Sequence, residues 1–125
     1  MERLKILVVD DNKAVRELLT VMLNEFGHEV VTAQNGQEGI AKCEKCDSFD
    51  LVITDRQMPG MLGEELIHRI KKIRPELSAI LITGDCDSGL SQVAKAAGAD
   101  EILIKPFQMK TMERVIKNLL ERKGE

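Results

Sequence analysis

No apolar stretch of this 125-residue chain approaches the ~20 residues needed to cross a bilayer, which argues against a membrane-spanning role. There is no basic excess either. The chain has 18 Lys and Arg against 21 Asp and Glu, a net charge of -3, so direct nucleic-acid binding is not expected. The start carries no secretory leader and enters an apolar run almost at once, from which a cytoplasmic setting is expected. Three cysteines, an odd number, offer no disulfide framework. Cys43 and Cys46 form a C-x-x-C, but late in a helical stretch, whereas a redox pair opens a helix where the dipole lowers the thiol pKa. Zinc would need two further ligands, and the spare Cys86, His28 and His68 are scattered, so free thiols are expected. Neither G-x-x-x-x-G-K-[ST] nor G-x-G-x-x-G follows the first apolar run, which disfavours a nucleotide-binding module. The length allows one domain with its own core and leaves no room for a second.

What the chain does have is an alternation. Five short apolar runs, centred on Ile6 to Val9, Glu29 to Ala33, Leu51 to Ile53, Ala79 to Ile82 and Ile102 to Ile104, are separated by segments of helical period. Val15, Leu18, Leu19, Met22, Leu23 and Phe26 predict a first helix, with Gly27 as its stop. Asn35 with Glu38 three residues on predicts the capped start of a second helix, reaching to about Cys46. Leu66, Ile67, Ile70 and Ile73 predict a third, ended before Pro75. Leu90, Val93, Ala94 and Ala97 predict a fourth, stopped at Gly98, and Met109, Met112, Val115, Ile116, Leu119 and Leu120 the buried face of a fifth. A β-α pair repeated five times implies an α/β fold, a parallel sheet with helices on both faces, because parallel strands need crossovers. The first, third and fourth runs are apolar enough to be central strands, while the mixed second run suits an edge.

In open sheets of this kind a ligand sits beyond the carboxyl ends of the strands. The polar groups of this chain fall there: Asp10 and Asp11 after the first run, Asp55 after the third, Thr83 after the fourth and Lys105 after the fifth. Taken singly they have duller explanations, since Asp11 or Asn12 could simply cap the first helix. Convergence changes this. Two carboxylates about 4 Å apart at an effective dielectric of ~20 repel by roughly 4 kcal/mol, so a fold that gathers three of them implies a cation. Few oxygen ligands with room for water suit Mg²⁺ better than zinc. A lysine and a hydroxyl beside them suit a phosphoryl group, whose equatorial oxygens need positive charge and hydrogen bonds.

Val8-Val9-Asp10-Asp11-Asn12, Asp55 with Met58-Pro59-Gly60 after it, Thr83-Gly84, Gly98-Ala99-Asp100 and Lys105-Pro106-Phe107 occur in one order with one spacing. In these features the chain resembles a response-regulator receiver domain, the phosphoacceptor module of two-component signalling, along essentially its full length. The resemblance implies a doubly wound, flavodoxin-like sheet of order 2-1-3-4-5 flanked by five helices. It implies that Asp55 accepts a phosphoryl group from a phosphohistidine on a histidine kinase or phosphotransfer protein. It further implies that Asp11, Asp55 and the backbone carbonyl of Gln57 ligate Mg²⁺, with Asp10 holding metal-bound water. Lys105 would pair with Asp55 at rest and with the phosphoryl group afterwards, Thr83 would bond a phosphoryl oxygen, and Pro106 would follow a cis bond. A simple strand terminator is the alternative for Pro106. Arg56, Gln57 and Asp85 would lie beside the pocket.

Where receiver domains often carry a switch aromatic, three residues before the lysine, this chain has Ile102, and it has no Tyr or Trp at all. The resemblance therefore implies activation expressed mainly through the loop after Thr83 and the fourth helix. The domain is expected over residues 1–121, with 122–125 a charged tail or the start of a linker. It is expected to be a monomer or weak dimer that acts on a downstream output domain or protein as a switch and not as an enzyme. A small aspartyl-phosphate hydrolase would need a second acid or base, for which neither His28 nor His68 is placed. A degenerate receiver used only as a binding scaffold is the other alternative, though such a chain would have little reason to hold all five site residues.

Overall fold

The computed structural model describes residues 3–84 and 88–123. The chain alternates strand and helix throughout: β1 Lys5–Val9, α1 Lys13–Glu25, β2 Glu29–Ala33, α2 Gly36–Lys45, β3 Leu51–Asp55, α3 Gly63–Ile73, β4 Ser78–Thr83, α4 Ser88–Ala97, β5 Glu101–Ile104 and α5 Met109–Lys123. The strands form one parallel sheet in the order β2-β1-β3-β4-β5, so the sequence reading of the fold holds. β2 is an edge and the three most apolar strands are central.

The two-residue period of each strand divides the core into two layers. Ile6, Val8, Ile53, Ile80 and Ile82 face one side, where Leu19, Met22 and Leu23 of α1 and Met112, Ile116 and Leu119 of α5 cover them. Leu7, Val9, Val52, Ala79 and Leu81 face the other, under Cys43 of α2, Leu66, Ile67 and Ile70 of α3 and Ala94 of α4. The helix starts follow from local chemistry. Asn12 accepts from the Val15 N–H at 3.2 Å and Asn35 from the Glu38 N–H at 2.8 Å, each satisfying a donor that its helix leaves open. Glu38 Oε2 reaches back to accept from the Gln34 N–H, one residue before the cap, at 3.5 Å. α1 ends where Gly27 takes φ +91°, a conformation that a side chain would strain.

Three expected core positions are exposed. Leu18 (61%) and Val93 (53%) lie about 90° round their helices from the centre of the buried stripe, since each residue turns 100°. Met109 (40%) opens α5 a full turn ahead of Met112, where the burial begins. α5 also runs on to Lys123, two residues into the expected tail, and Arg122 in its last turn donates from Nη2 to Glu101 Oε1 at 2.6 Å. Cys43 is buried and Cys46 caps the end of α2; both are free thiols, and Cys86 lies outside the described residues.

Candidate functional site

Parallel pairing keeps the carboxyl ends of the strands level. Val9 stands opposite Thr54, Asp55 opposite Ile82 and Thr83 opposite Ile104. Residues at or just past those ends therefore meet at one edge. Carboxylate oxygens of Asp10, Asp11 and Asp55 all lie within 4.8 Å of one another. Asp10 and Asp55 are buried and Asp11 is exposed, so the cluster opens to solvent on one side.

Asp10 is fixed from three directions. Its N–H donates to the Ala33 carbonyl at 3.2 Å, its Oδ1 accepts from the Asn12 N–H at 2.9 Å, and its carbonyl accepts from Arg16 Nη1 at 2.7 Å. With Asn12 as the cap of α1, Asp11 is left for the pocket. Burial pushes the Asp10 carboxyl above its ordinary value of 3.8; the Asn12 N–H opposes this, and the charge of Asp55 adds to it. Across the pocket Lys105 Nζ lies 3.1 Å from Asp55 Oδ1. The Lys105 N–H donates to the Thr83 carbonyl at 2.7 Å, tying the ends of β4 and β5, and the Lys105–Pro106 bond is cis. Thr83 is buried beside them.

Of the sequence-predicted residues, Asp10, Asp11, Asp55 and Lys105 are thus joined by side-chain geometry, and Thr83 by its backbone bond to Lys105. Gln57 is exposed in the loop from residue 56 to 62, two positions past Asp55. Asp85 lies outside the described residues. Neither histidine is at the pocket edge. His28 Nδ1 accepts from the Leu4 N–H at 3.0 Å, at the opposite end of β1, and His68 is exposed on α3. Two residues escaped the sequence reading. Arg16 has only its place in the first turn of α1 to mark it. Glu64, 8% exposed, binds Arg56 Nε at 3.0 Å, and nothing in an acidic pair at a helix start signals that one member is buried.

The donor set fits a small hard cation. Three carboxylates, with no thiolate or imidazole among them, are oxygen donors of the kind Mg²⁺ takes.

Residues 6–117 match the profile of the response regulator receiver domain. The chain belongs to this family. It is a phosphoacceptor domain of two-component signalling, a class of signalling switch. The sporulation initiation phosphotransferase F of Bacillus subtilis strain 168 is 33% identical over 120 residues, covering 96% of each chain. A CheY-like receiver domain protein from Methanospirillum hungatei JF-1 superposes with TM-score 0.91 at 32% identity, covering 98% of each chain. Response regulator TrrA of Thermotoga maritima, solved with Mg²⁺-BeF, has TM-score 0.83 and 38% identity over 92% of this chain and 97% of that one. The receiver chain spans half or less of several other curated relatives, 42%, 25% and 50% of their lengths, two of them transcriptional regulators.

Proposed function

We propose that Asp55 is the phosphoacceptor of this receiver domain. The carrying observation is its carboxylate, 3.1 Å from the Lys105 ammonium and within 4.8 Å of Asp10 and Asp11 at the open edge of the sheet. An Asp55 oxygen attacks the phosphorus of a phosphohistidine, a P–O bond forms as the P–N bond breaks, and the electron pair returns to the imidazole nitrogen, which takes up a proton. Lys105, already paired to Asp55, stays with the transferred oxygens. Thr83 supplies a hydroxyl donor at the end of the neighbouring strand, and the product carries roughly -2 of charge for these two groups to hold.

Asp10, Asp11, Asp55 and the Gln57 carbonyl are the residues that would hold Mg²⁺. When bound, the ion would offset the carboxylate charge and the charge spread over the equatorial oxygens. The Mg²⁺-BeF complex of the Thermotoga relative supports this choice of metal.

The proposed setting is the cytoplasm, consistent with the lack of any described helix long and apolar enough to cross a membrane. The phosphoryl donor is a histidine kinase or phosphotransfer protein, and the recipient of the signal is an output domain or protein, as in the longer relatives. The domain itself binds no nucleic acid, acts as a monomer or weak dimer, and loses its phosphate slowly, as a switch does. Its proposed limits are residues 1–121, and α5 runs two residues past them to Lys123. Incubation with a small phosphodonor and Mg²⁺ should add one phosphate by mass spectrometry, and Asp55→Asn should abolish the addition. Uptake at an unchanged rate in that variant refutes the assignment.

A further inference from the structure

The loop that carries the Gln57 carbonyl is closed at its base by an ion pair that the phosphoacceptor chemistry does not use. Arg56 is pinned through its backbone, its N–H donating to the Ile82 carbonyl at 2.8 Å and its carbonyl accepting from the Gly63 N–H at 2.9 Å. Gly63 makes this close approach possible. A Cβ there would collide with the Asp55 carbonyl oxygen and come within 2.7 Å of Leu81 Cδ1. The side chain of Arg56 reaches Glu64, in the first turn of α3, with Nε 3.0 Å from Oε2. Glu64 is buried, and its other oxygen, Oε1, has no hydrogen-bond partner among the described residues. Arg56 is therefore what compensates this carboxylate, together with the positive end of α3. Met58 and Met61 are tucked into the core inside the same loop, so its path is held at both ends and in the middle.

We propose that the Arg56–Glu64 ion pair is a latch that positions the Gln57 carbonyl for Mg²⁺, making Arg56 and Glu64 positioning residues for the metal. Arg56 directly precedes Gln57, so whatever fixes its backbone and side chain restricts the orientation of the next peptide. The proposal rests on the metal site set out above.

Charge and latch give opposite signs at Arg56, which makes the pair testable. As point charges, Arg56 repels a cation and Glu64 attracts it, so Arg56→Met would tighten Mg²⁺ binding while Glu64→Leu would weaken it. As a latch, either change weakens it, by about tenfold, the lower end of what outer-sphere partners of a metal contribute. The double variant Arg56→Met/Glu64→Leu replaces both charges with apolar groups and guards against misfolding of a single variant that leaves one charge buried alone. Calorimetric Mg²⁺ titration is the readout, with metal-free melting temperatures measured alongside. The expected result is a similar loss of affinity in both single variants and in the double, non-additively, with the double melting near the parent and Arg56→Lys regaining most of the affinity. Tighter or unchanged binding in Arg56→Met, or parental affinity in the double variant, overturns the latch while leaving the metal site standing. Absence of Mg²⁺ binding in the unaltered protein overturns both.

Discussion

Asp10 shows in one side chain the conflict between stability and the site. It is 2% exposed, beside two other carboxylates, and burial has raised its pKa above 3.8. A folded state that holds this proton more tightly than the unfolded chain loses stability as pH rises from 3.8 through the raised value, and the penalty is complete above it. Asp10→Asn removes the charge and keeps the shape. In EDTA at pH 7 it should raise stability by about 1 kcal/mol, a few degrees in melting temperature, and the gain should fade as pH drops to 3.8. With Mg²⁺ present the advantage should shrink or reverse, because the parent gains more from the ion. Thermal denaturation with and without metal across that pH range measures both; a stabilisation that persists at pH 3 would show that charge is not its cause.

Elements were the most legible level. Each strand and helix start follows from a run of apolar residues or a cap within a few positions, and local chemistry is what sequence displays. What pattern did not show was which member of a periodic set faces the sheet. Leu18, Val93 and Met109 share the helical spacing of their buried neighbours, and only the angle at which each helix docks exposes them. The site was legible for the related reason that parallel strands bring their ends together, so Asp10, Asp11, Asp55 and Lys105 could be assembled from order alone. Glu64 was not, since its partner Arg56 stands eight residues away across a loop whose closure depends on Gly63.

His28 is another residue whose role depends on elements. Between α1 and β2, it is buried and accepts from the Leu4 N–H, clasping the start of β1. Accepting there requires an unprotonated Nδ1. Burial lowers its pKa from 6.5, so between 6.5 and that lowered value the unfolded chain binds more protons than the folded one. Stability is then full above 6.5 and falls as pH drops through this window, by up to roughly 1 kcal/mol per pH unit. His28→Gln, an uncharged acceptor, should flatten that slope in urea titrations repeated from pH 7 to 5. An unchanged slope in the variant would assign the acid sensitivity elsewhere.

At the scale of the whole molecule the question is how phosphorylation, proposed at Asp55, would reach a distant surface. Thr83 ends β4, Gly84 follows it, and α4 is next in the chain. Ile102 is β-branched and packs against the layer under α2, α3 and α4, so it has few rotamers to exchange. A phosphoryl mimic should therefore shift the amide resonances of Gly84 and of α4 while Ile102 keeps its rotamer. Thr83→Ala should erase those shifts. Persistence of the α4 changes without the hydroxyl, or a rotamer change at Ile102 with α4 still, would reject this route.

The level strand ends also have a meaning in time. A chain emerging from the ribosome presents Asp10, Asp11 and Asp55 long before Lys105, because β5 follows the other four strands. An intermediate lacking that last strand holds an acidic cluster without its ammonium, and three like charges crowded together favour whatever brings the counter-charge in. Docking of β5 thus covers the edge of β4 and brings the ammonium of Lys105 to Asp55 in one step. A nascent receiver becomes competent to take phosphate only once β5 has emerged and docked.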